Sequence, residues 1–374
     1  MTAIPNSAMR VSFWQAVKHD VFSWAFLLPF LAFALFPFYW GVITSFKADA
    51  NLYDLSRNPL WISKIDGRTG KPYHKDIIVP ASYTEAPIHW QQPLGSKTNR
   101  SDAETDPKPI ALVGNQPIFS PVTGTLARMD FKDGEIVKPN TPVGDIHVEN
   151  PTLSHYKFLT STPFYRWMRV SLLTGLAVVV ITLLVAVPAA YALARLKFRG
   201  NRGIGIAIFL TYLIPPTILF IPFSQLVGGL HIDNTIWSLI LSYPTFTIPF
   251  CTWLLMGFFR GVPKEIEERA LLDGATRLQM LRRVVIPVVL PGILTAAIFA
   301  FTLSFQEYVY ALTFISSTAN RTLPVGISVE MIRGDVYFWG PLMASAILGS
   351  LPVVIVYALS LNYFISGMTT GATK

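Results

Sequence analysis

The segment 261–291 reads GVPKEIEERALLDGATRLQMLRRVVIPVVLP and lies between two strongly apolar runs. Its proline stands where a helix begins, and three glutamates follow in the first turns, where carboxylates stabilise the positive end of the helix dipole. Asp273-Gly274 is a turn signal, and Thr276 is a suitable N-cap for a second short helix that ends at Arg283. The segment therefore predicts a charged helix–turn–helix that links two apolar helices.

Small and apolar residues are arranged in rows along this predicted helix–turn–helix. Ala270 and Gly274 are four residues apart and share one face, on which another protein could approach closely. Leu271, Ala275 and Leu278 form a parallel apolar stripe. We therefore expect the segment to present a docking surface.

The rest of the chain has the composition of a membrane protein. Apolar residues make up 52% of the 374 residues and charged residues only 14%, whereas a soluble domain has about a quarter charged residues. A spanning helix needs about 20 mostly apolar residues. Six stretches are long enough to span: 21–46, 169–196, 204–228, 235–259, 284–314 and 341–366. Prolines interrupt several of these stretches, most directly Pro215-Pro216 in the third, and predict kinks.

The charges of the short loops predict how the chain is oriented. Lys and Arg are concentrated in the loops 195–203 and 260–285, whereas the loop GGLHIDN has none and the loop 315–340 has few. Cytoplasmic loops carry the excess of Lys and Arg. We therefore expect both termini in the cytoplasm and the segment after the first span outside. The formal charge of +8 is explained by this distribution, because the basic residues form no patch suited to nucleic acid.

Residues 48–150 interrupt the membrane pattern. Short runs such as DIIVPASY, PIALV and GTLARMDF alternate with turn signals, which is typical of small strands, and the polar stretch 91–109 predicts a loop. The piece FSPVTGTLARMDFKDGEIVKPNTPVGDI resembles half of a biotinyl/lipoyl-type hammerhead. The hairpin that carries the modified lysine in such domains reads VENPT here, so we predict no covalent cofactor.

The helix–turn–helix resembles the EAA loop of ABC-importer permeases. The family pattern runs Glu-Ala-Ala, three residues, then Gly, and this chain has ERALLDG followed by two Leu/Ile-Pro pairs. Arg269 departs from the family's alanine. The resemblance implies that the loop docks into a cleft of a cytoplasmic ATPase and transmits its closure to the spans. The residues to which it assigns this coupling are Glu268, Ala270, Asp273, Gly274, Leu278 and Pro287.

Other stretches resemble the sugar (maltose-type) branch of these permeases, among them AYALARLKFRG, PPTILFIPF and the short tail GMTTGATK. The resemblance implies that Gly371 and Lys374 of the tail reach toward the ATPase. SFQEYVYAL resembles the family's Trp-Asn-Glu segment, with Phe305 and Gln306 in place of Trp and Asn. Gln306 and Glu307 are the candidate pathway residues, since an ionisable residue at membrane depth is a functional candidate.

The resemblance implies an all-α membrane protein with the six transmembrane helices of the type I ABC importer permease fold. A small β-rich, hammerhead-like extracytoplasmic insertion is added to it. Residues 1–47 would be the cytoplasmic N-terminus and first span, 48–150 the insertion, and 151–374 the permease core with the coupling loop 260–285.

The implied location is the bacterial inner membrane, in contact with lipid. The implied partners are a second permease subunit, an extracytoplasmic solute-binding protein and an ATPase homodimer that holds ATP and Mg. We expect this chain to be a non-catalytic subunit with no cofactor and no nucleic acid of its own. Its solute would be a carbohydrate or a related polyol or glycoside.

Two alternatives are a membrane-embedded enzyme and a secondary transporter, each with a substrate-binding extracytoplasmic insertion. An enzyme would need paired carboxylates or a histidine cluster, and the six histidines have no metal-ligand spacing. A secondary transporter would need several intramembrane ionisable residues, and only Glu307 qualifies. The chain has no GxxxxGK[ST] motif for ATP. Its single cysteine, Cys251, excludes a disulfide within the chain.

Overall fold

The structure is a computed structural model that describes residues 13–48, 74–98, 107–122, 124–148, 150–334 and 336–372. The chain forms two compact units, Met1–His155 and Tyr156–Lys374. The first contains a long apolar helix and two small β-sheets, and the second is built mainly from helices.

The first unit contains a helix in which Pro29 and Pro37 lie. The runs that alternate with turn signals in the sequence form short strands, as predicted. The elements are α1 (Phe13–Phe46), β1 (His74–Ile78), β2 (Ala86–Trp90), β3 (Lys97–Thr98), β4 (Ala111–Val113), β5 (Gln116–Ile118), β6 (Gly124–Met129), β7 (Ile136–Val137) and β8 (Pro142–His147).

The strands form two antiparallel sheets, ordered β1-β8-β6-β3 and β5-β4-β2-β7. Ile77, Ile88, Leu126 and Ile146 are fully buried in one shared core. The hammerhead-like piece is not a self-contained half, because β6 and β8 pair with β3 and β1 while β7 pairs with β2. The prediction of a loop over 91–109 is wrong at β3, where the pairing with β6 overrides the polar composition.

The two ends of the segment between residues 47 and 152 lie together. The backbone N–H of Thr152 donates to the carbonyl of Phe46 (2.8 Å), and the Nε2 of His155 lies 2.7 Å from the carbonyl oxygen of Lys47. A segment whose ends meet can be inserted without changing the course of the flanking chain.

The helices α3, α7 and α10 of the second unit pack together around a cluster that includes Ala186, Leu255, Phe259, Val289 and Ala296. The elements are α2 (Ser154–Ser161), α3 (Phe164–Arg195), α4 (Asn201–Tyr212), α5 (Pro216–Gly229), α6 (Ile236–Ser242), α7 (Pro244–Gly261), α8 (Lys264–Leu272), α9 (Arg277–Met280), α10 (Ile286–Phe305), α11 (Val309–Phe314), α12 (Leu323–Met331), β9 (Ile332–Arg333), β10 (Val336–Tyr337) and α13 (Trp339–Ala372).

The predicted third span is not one continuous helix. Its halves Gly203–Tyr212 and Thr217–Gly229 are bent by 92°. Pro215 is extended, with ψ 128°, and the next residue, also a proline, has no backbone N–H to continue the helix. If the bent pair counts as one span, the described residues contain up to six spans. The other five are Leu27–Phe46, Phe164–Arg195, Ile236–Gly261, Arg277–Phe305 and Trp339–Ser360.

The predicted fifth span, 284–314, has different limits in the structure. The helix begins at Arg277, passes through a π-helical turn over Leu281–Val285 and ends at Phe305. The predicted end of the second short helix at Arg283 is therefore wrong. In a regular α-helix, the ring of Pro287 would clash with the carbonyl of Arg283, four residues earlier. We attribute the π-helical turn to this clash.

Hydrogen bonds join the two loops that the sequence places outside. The Oδ1 of Asn234 accepts from the backbone N–H of Ser316 (3.2 Å) and of Ser317 (2.8 Å). The Nδ2 of Asn320 donates to the carbonyl of Asn234 (2.7 Å). The two loops therefore lie on one side of the unit, and which side of the membrane this is stays a prediction.

Gly326 of α12 lies directly against the indole of Trp167 in α3, so a substitution at this position tests how closely the two helices pack. A Cβ at 326 would overlap the ring, and the ring is fixed by complete burial and by an Nε1 bond to the carbonyl of Thr318 (2.9 Å). We expect Gly326→Ala to destabilise the protein by about 1–3 kcal/mol, seen as a lower thermal unfolding temperature in detergent. Gly257→Ala, where the Cβ meets open space, is the control. An equal loss in both variants would contradict the proposed clash.

Candidate functional site

The segment between α7 and α10 folds into the two short helices that the sequence predicts. Pro263 precedes α8 with φ −59° and ψ 135°, and Glu265 and Glu267 lie in its first turn. Carboxylates at this end are stabilised by the helix dipole. No residue of α8 is fully buried, so the helix lies at the surface of the bundle.

The turn after α8 is a Schellman motif. The backbone N–H of Gly274 donates to the carbonyl of Leu271 (3.1 Å), and that of Ala275 donates to the carbonyl of Ala270 (3.1 Å). Gly274 has φ +84°, and no heavy atom lies within 4 Å of the position a Cβ would take. A side chain at this position would strain the backbone without meeting a neighbour in this chain.

Helix α9 begins with a capping box. The Oγ1 of Thr276 accepts from the backbone N–H of Gln279 (3.3 Å), and the Oε1 of Gln279 accepts from the backbone N–H of Thr276 (2.9 Å). The predicted N-cap at Thr276 is thereby confirmed. The role of Gln279 was missed, although a threonine followed three residues later by glutamine is its sequence signal.

The inner and outer faces of the segment carry different side chains. Ala270 and Ala275 are half-buried and pack against the cluster that contains Met280. Leu272 is 87% exposed and Leu278 is 73% exposed, so these leucines form the outward apolar surface, and Ala270 is turned partly toward its own bundle. The remaining residues implied for coupling are all exposed: Glu268, Asp273, Gly274, Leu278 and Pro287.

An ion pair joins α8 to the end of α3. The Nε of Arg195 lies 2.6 Å from the Oε1 of Glu267, and the two side chains are 6% and 15% exposed. The sequence does not predict this contact. Arg195 belongs to a basic loop and Glu267 to the start of a helix, and no local spacing connects residues 72 positions apart.

Glu307 lies in the break between α10 and α11 and is half-buried. Its Oε1 accepts from the backbone N–H of Tyr310 (2.9 Å), and its Oε2 accepts from that of Ala311 (3.1 Å). The carboxylate therefore caps the start of α11. Gln306 is exposed. A pathway role for Gln306 and Glu307 stays a prediction.

A groove of about 1110 Å³ opens between α4, α7 and α10. Phe209, Trp253 and Val288 line it with apolar surface, and Arg260 adds a cation. Pro263, just before α8, also lines it. The groove therefore ends beside the segment that contains the residues implied for coupling.

The tail is described as far as Ala372, and Gly371 lies in the last turn of α13. Lys374 lies outside the described residues, and the reach of the tail toward an ATPase stays a prediction. Within the described residues, no three His, Cys, Asp or Glu side chains are grouped as metal ligands.

Comparison with known proteins gives consistent matches. The family model of binding-protein-dependent transport system inner membrane components matches residues 182–370. The inner membrane ABC transporter permease protein YcjP of Escherichia coli (strain K12) is 34% identical over 226 residues, covering 60% of this chain and 80% of that protein. The trehalose/maltose transport system permease protein MalG of Thermococcus litoralis is 31% identical over 227 residues, covering 60% and 81%.

A solved structure shares the fold. The crystal structure of a bacterial ABC transporter involved in the import of the acidic polysaccharide alginate matches with a TM-score of 0.58 at 16% identity. The match covers 97% of this chain and 100% of that chain.

The capping role of Glu307 can be tested by replacing it with alanine. Two backbone donors at the start of α11 would lose their acceptor, at a cost of about 1 kcal/mol, and amide hydrogen exchange over 309–314 should accelerate. Glu307→Gln should have a smaller effect, because its amide oxygen still accepts but carries no charge toward the helix dipole. Gln306→Ala, at an exposed neighbour, should exchange like the wild type. Unchanged exchange in Glu307→Ala would show that the carboxylate is not needed as a cap.

Proposed function

This chain belongs to the family of binding-protein-dependent transport system inner membrane components, and on that premise we propose its place in a complete importer. It is one of two permease subunits of an ATP-driven importer for a carbohydrate or a related polyol or glycoside. It forms the translocation pathway with the second permease, and partner subunits hydrolyse the ATP. The name of the relative from Thermococcus litoralis, a trehalose/maltose permease, supports the class of solute.

The observation that carries this proposal is the geometry of the segment 264–280. Two helices held by a Schellman motif and a capping box present Leu272 and Leu278 outward from the bundle. A surface whose shape is fixed in advance binds a partner at a lower ordering cost. We assign this surface to the ATPase homodimer, which holds ATP and Mg, and we assign Glu268 and Asp273 to its charged rim.

We propose that the protein lies in the bacterial inner membrane with the loops 195–203 and 260–285 in the cytoplasm. The Lys and Arg content of these loops supports that orientation, as does the ion pair between Arg195 and Glu267, which brings the two loops together. Both termini are then cytoplasmic. Residues 48–150 are outside, where a solute-binding protein delivers its ligand.

The assembled complex tests the class of solute. Both permeases, the ATPase homodimer and the solute-binding protein are reconstituted into liposomes, and ATP hydrolysis is measured with a panel of saccharides that begins with maltose and trehalose. At least one saccharide is expected to stimulate hydrolysis and to accumulate inside. A complex that responds to no saccharide or polyol would overturn the proposed solute class.

Gly274→Leu, studied in that complex, tests the coupling role. Leucine opposes the left-handed backbone of the turn and adds bulk to the docking surface. We expect loss of uptake and weaker co-purification of the ATPase, with normal membrane insertion. Gly274→Asn is the matched control, since asparagine tolerates a positive φ. It should retain most of the uptake, and a fully active leucine variant would remove the segment from the coupling mechanism.

Single cysteines test the orientation, in a Cys251→Ala background because Cys251 is the chain's only cysteine. Leu94 and Arg199 are both exposed, so cysteines at these positions can react with an impermeant thiol reagent. Leu94→Cys should label from outside intact spheroplasts, whereas Arg199→Cys should label only after the membrane is opened. Labelling of Arg199→Cys from outside would reverse the proposed topology.

A further inference from the structure

The ion pair between Arg195 and Glu267 lies where motion would pass from the segment 264–280 into the bundle. Arg195 is the last residue of α3, and Glu267 is in the first turn of α8. The side chains are 6% and 15% exposed, so water and salt screen the contact little. A charge-assisted bond of 2.6 Å under these conditions holds the two helix ends in a defined orientation.

This contact gives α3 its own connection to the segment. Helices α7 and α10 are joined to it through the chain, at its start and at its end. Helix α3 lies about 70 residues earlier and has no such covalent link. A displacement of the segment 264–280 would therefore act directly on α3 through the ion pair, as it acts on α7 and α10 through the chain.

The guanidinium of Arg195 is not fully used in this arrangement. Its Nη2 is buried and has no hydrogen-bond partner among the described residues. A guanidinium can bind a carboxylate through two parallel N–H···O bonds. The present contact, through Nε and Oε1, leaves Nη2 available for the second carboxylate oxygen when α8 tilts. The pair can thus persist while the segment moves.

We propose that Arg195 and Glu267 are positioning residues that make α3 follow the coupling segment. This inference rests on the proposed function. The desolvation of both charges offsets much of their attraction, so the pair contributes a defined geometry more than net stability, although removal of one partner leaves the other charge buried and unpaired. The effect on coupling is therefore measured as uptake per ATP hydrolysed in the complex that still assembles.

Glu267→Gln tests this in the reconstituted complex, since glutamine keeps the size and removes the charge. Uptake per ATP hydrolysed is expected to fall about tenfold. A factor of ten corresponds to about 1.4 kcal/mol, which lies within the range of interaction energies between residues in contact. The amount of ATPase that co-purifies should not change. Glu265→Gln is the matched control, because Glu265 is an exposed carboxylate in the same turn. It should transport with the wild-type ratio.

A second set of variants separates positioning from a merely structural role. Arg195→Lys, which keeps the charge, should retain more of the uptake per ATP hydrolysed than Glu267→Gln does. The double variant Arg195→Glu with Glu267→Arg should recover part of the ratio that each of its two single changes loses. If the single variants only reduce the amount of complex, with an unchanged ratio in what remains, the inference is overturned. It is also overturned if the exchanged pair is no better than the single variants.

Amide hydrogen exchange over 264–272 supplies a measurement that does not depend on transport. Exchange should accelerate in Glu267→Gln and stay at the wild-type rate in Glu265→Gln, and equal rates in the two variants would overturn the inference. Failure of the wild-type complex to hydrolyse ATP in response to any solute would instead count against the proposed function. The two failures are therefore distinguishable.

Discussion

Backbone inside a bilayer must satisfy its own hydrogen bonds, and in the second unit this requirement is most demanding where a helix is interrupted. One break is at Pro215-Pro216, where proline brings no N–H that needs a partner. The other follows Phe305, where the carboxylate of Glu307 accepts two backbone N–H groups of α11. At each break, the residues present either lack a backbone N–H or supply an acceptor for one. Glu307 therefore has a structural reason to be present, apart from any contact with solute.

A related requirement applies to the segment 264–280, which lies at the surface of the bundle. Short helices in water are marginal, and their terminal backbone groups must find partners. The Schellman motif at Gly274 and the capping box at Thr276 supply those partners, and the ion pair to Arg195 fixes α8 to the bundle. A segment that frayed could not transmit a displacement. Its local stability is therefore part of the transport mechanism that we propose.

Local features were predictable from the sequence, whereas features that depend on distant partners were not. The helix–turn–helix, its N-cap and most of the strands carry short-range signals, and the family resemblance drawn from the same residues is confirmed by the comparisons. The limits of the fifth span were wrong because an apolar run does not reveal the cap at Glu307 or the π-helical turn before Pro287. The ion pair joins residues 72 positions apart and has no periodic signature. For the same reason, the strands of the hammerhead-like piece could not be assigned to two sheets.

The β-rich segment has a different physical basis from the helices. Its core includes Ile77, Ile88, Leu126 and Ile146, and the described residues of that cluster run from Ala48 to Val148. Its ends are held together by the bonds of Thr152 and His155 to the carbonyls at the end of α1. Both sheets combine strands from the first and second halves of the segment, so neither half can be removed without exposing the core of the other. The two halves of the segment are therefore expected to fold together around one core.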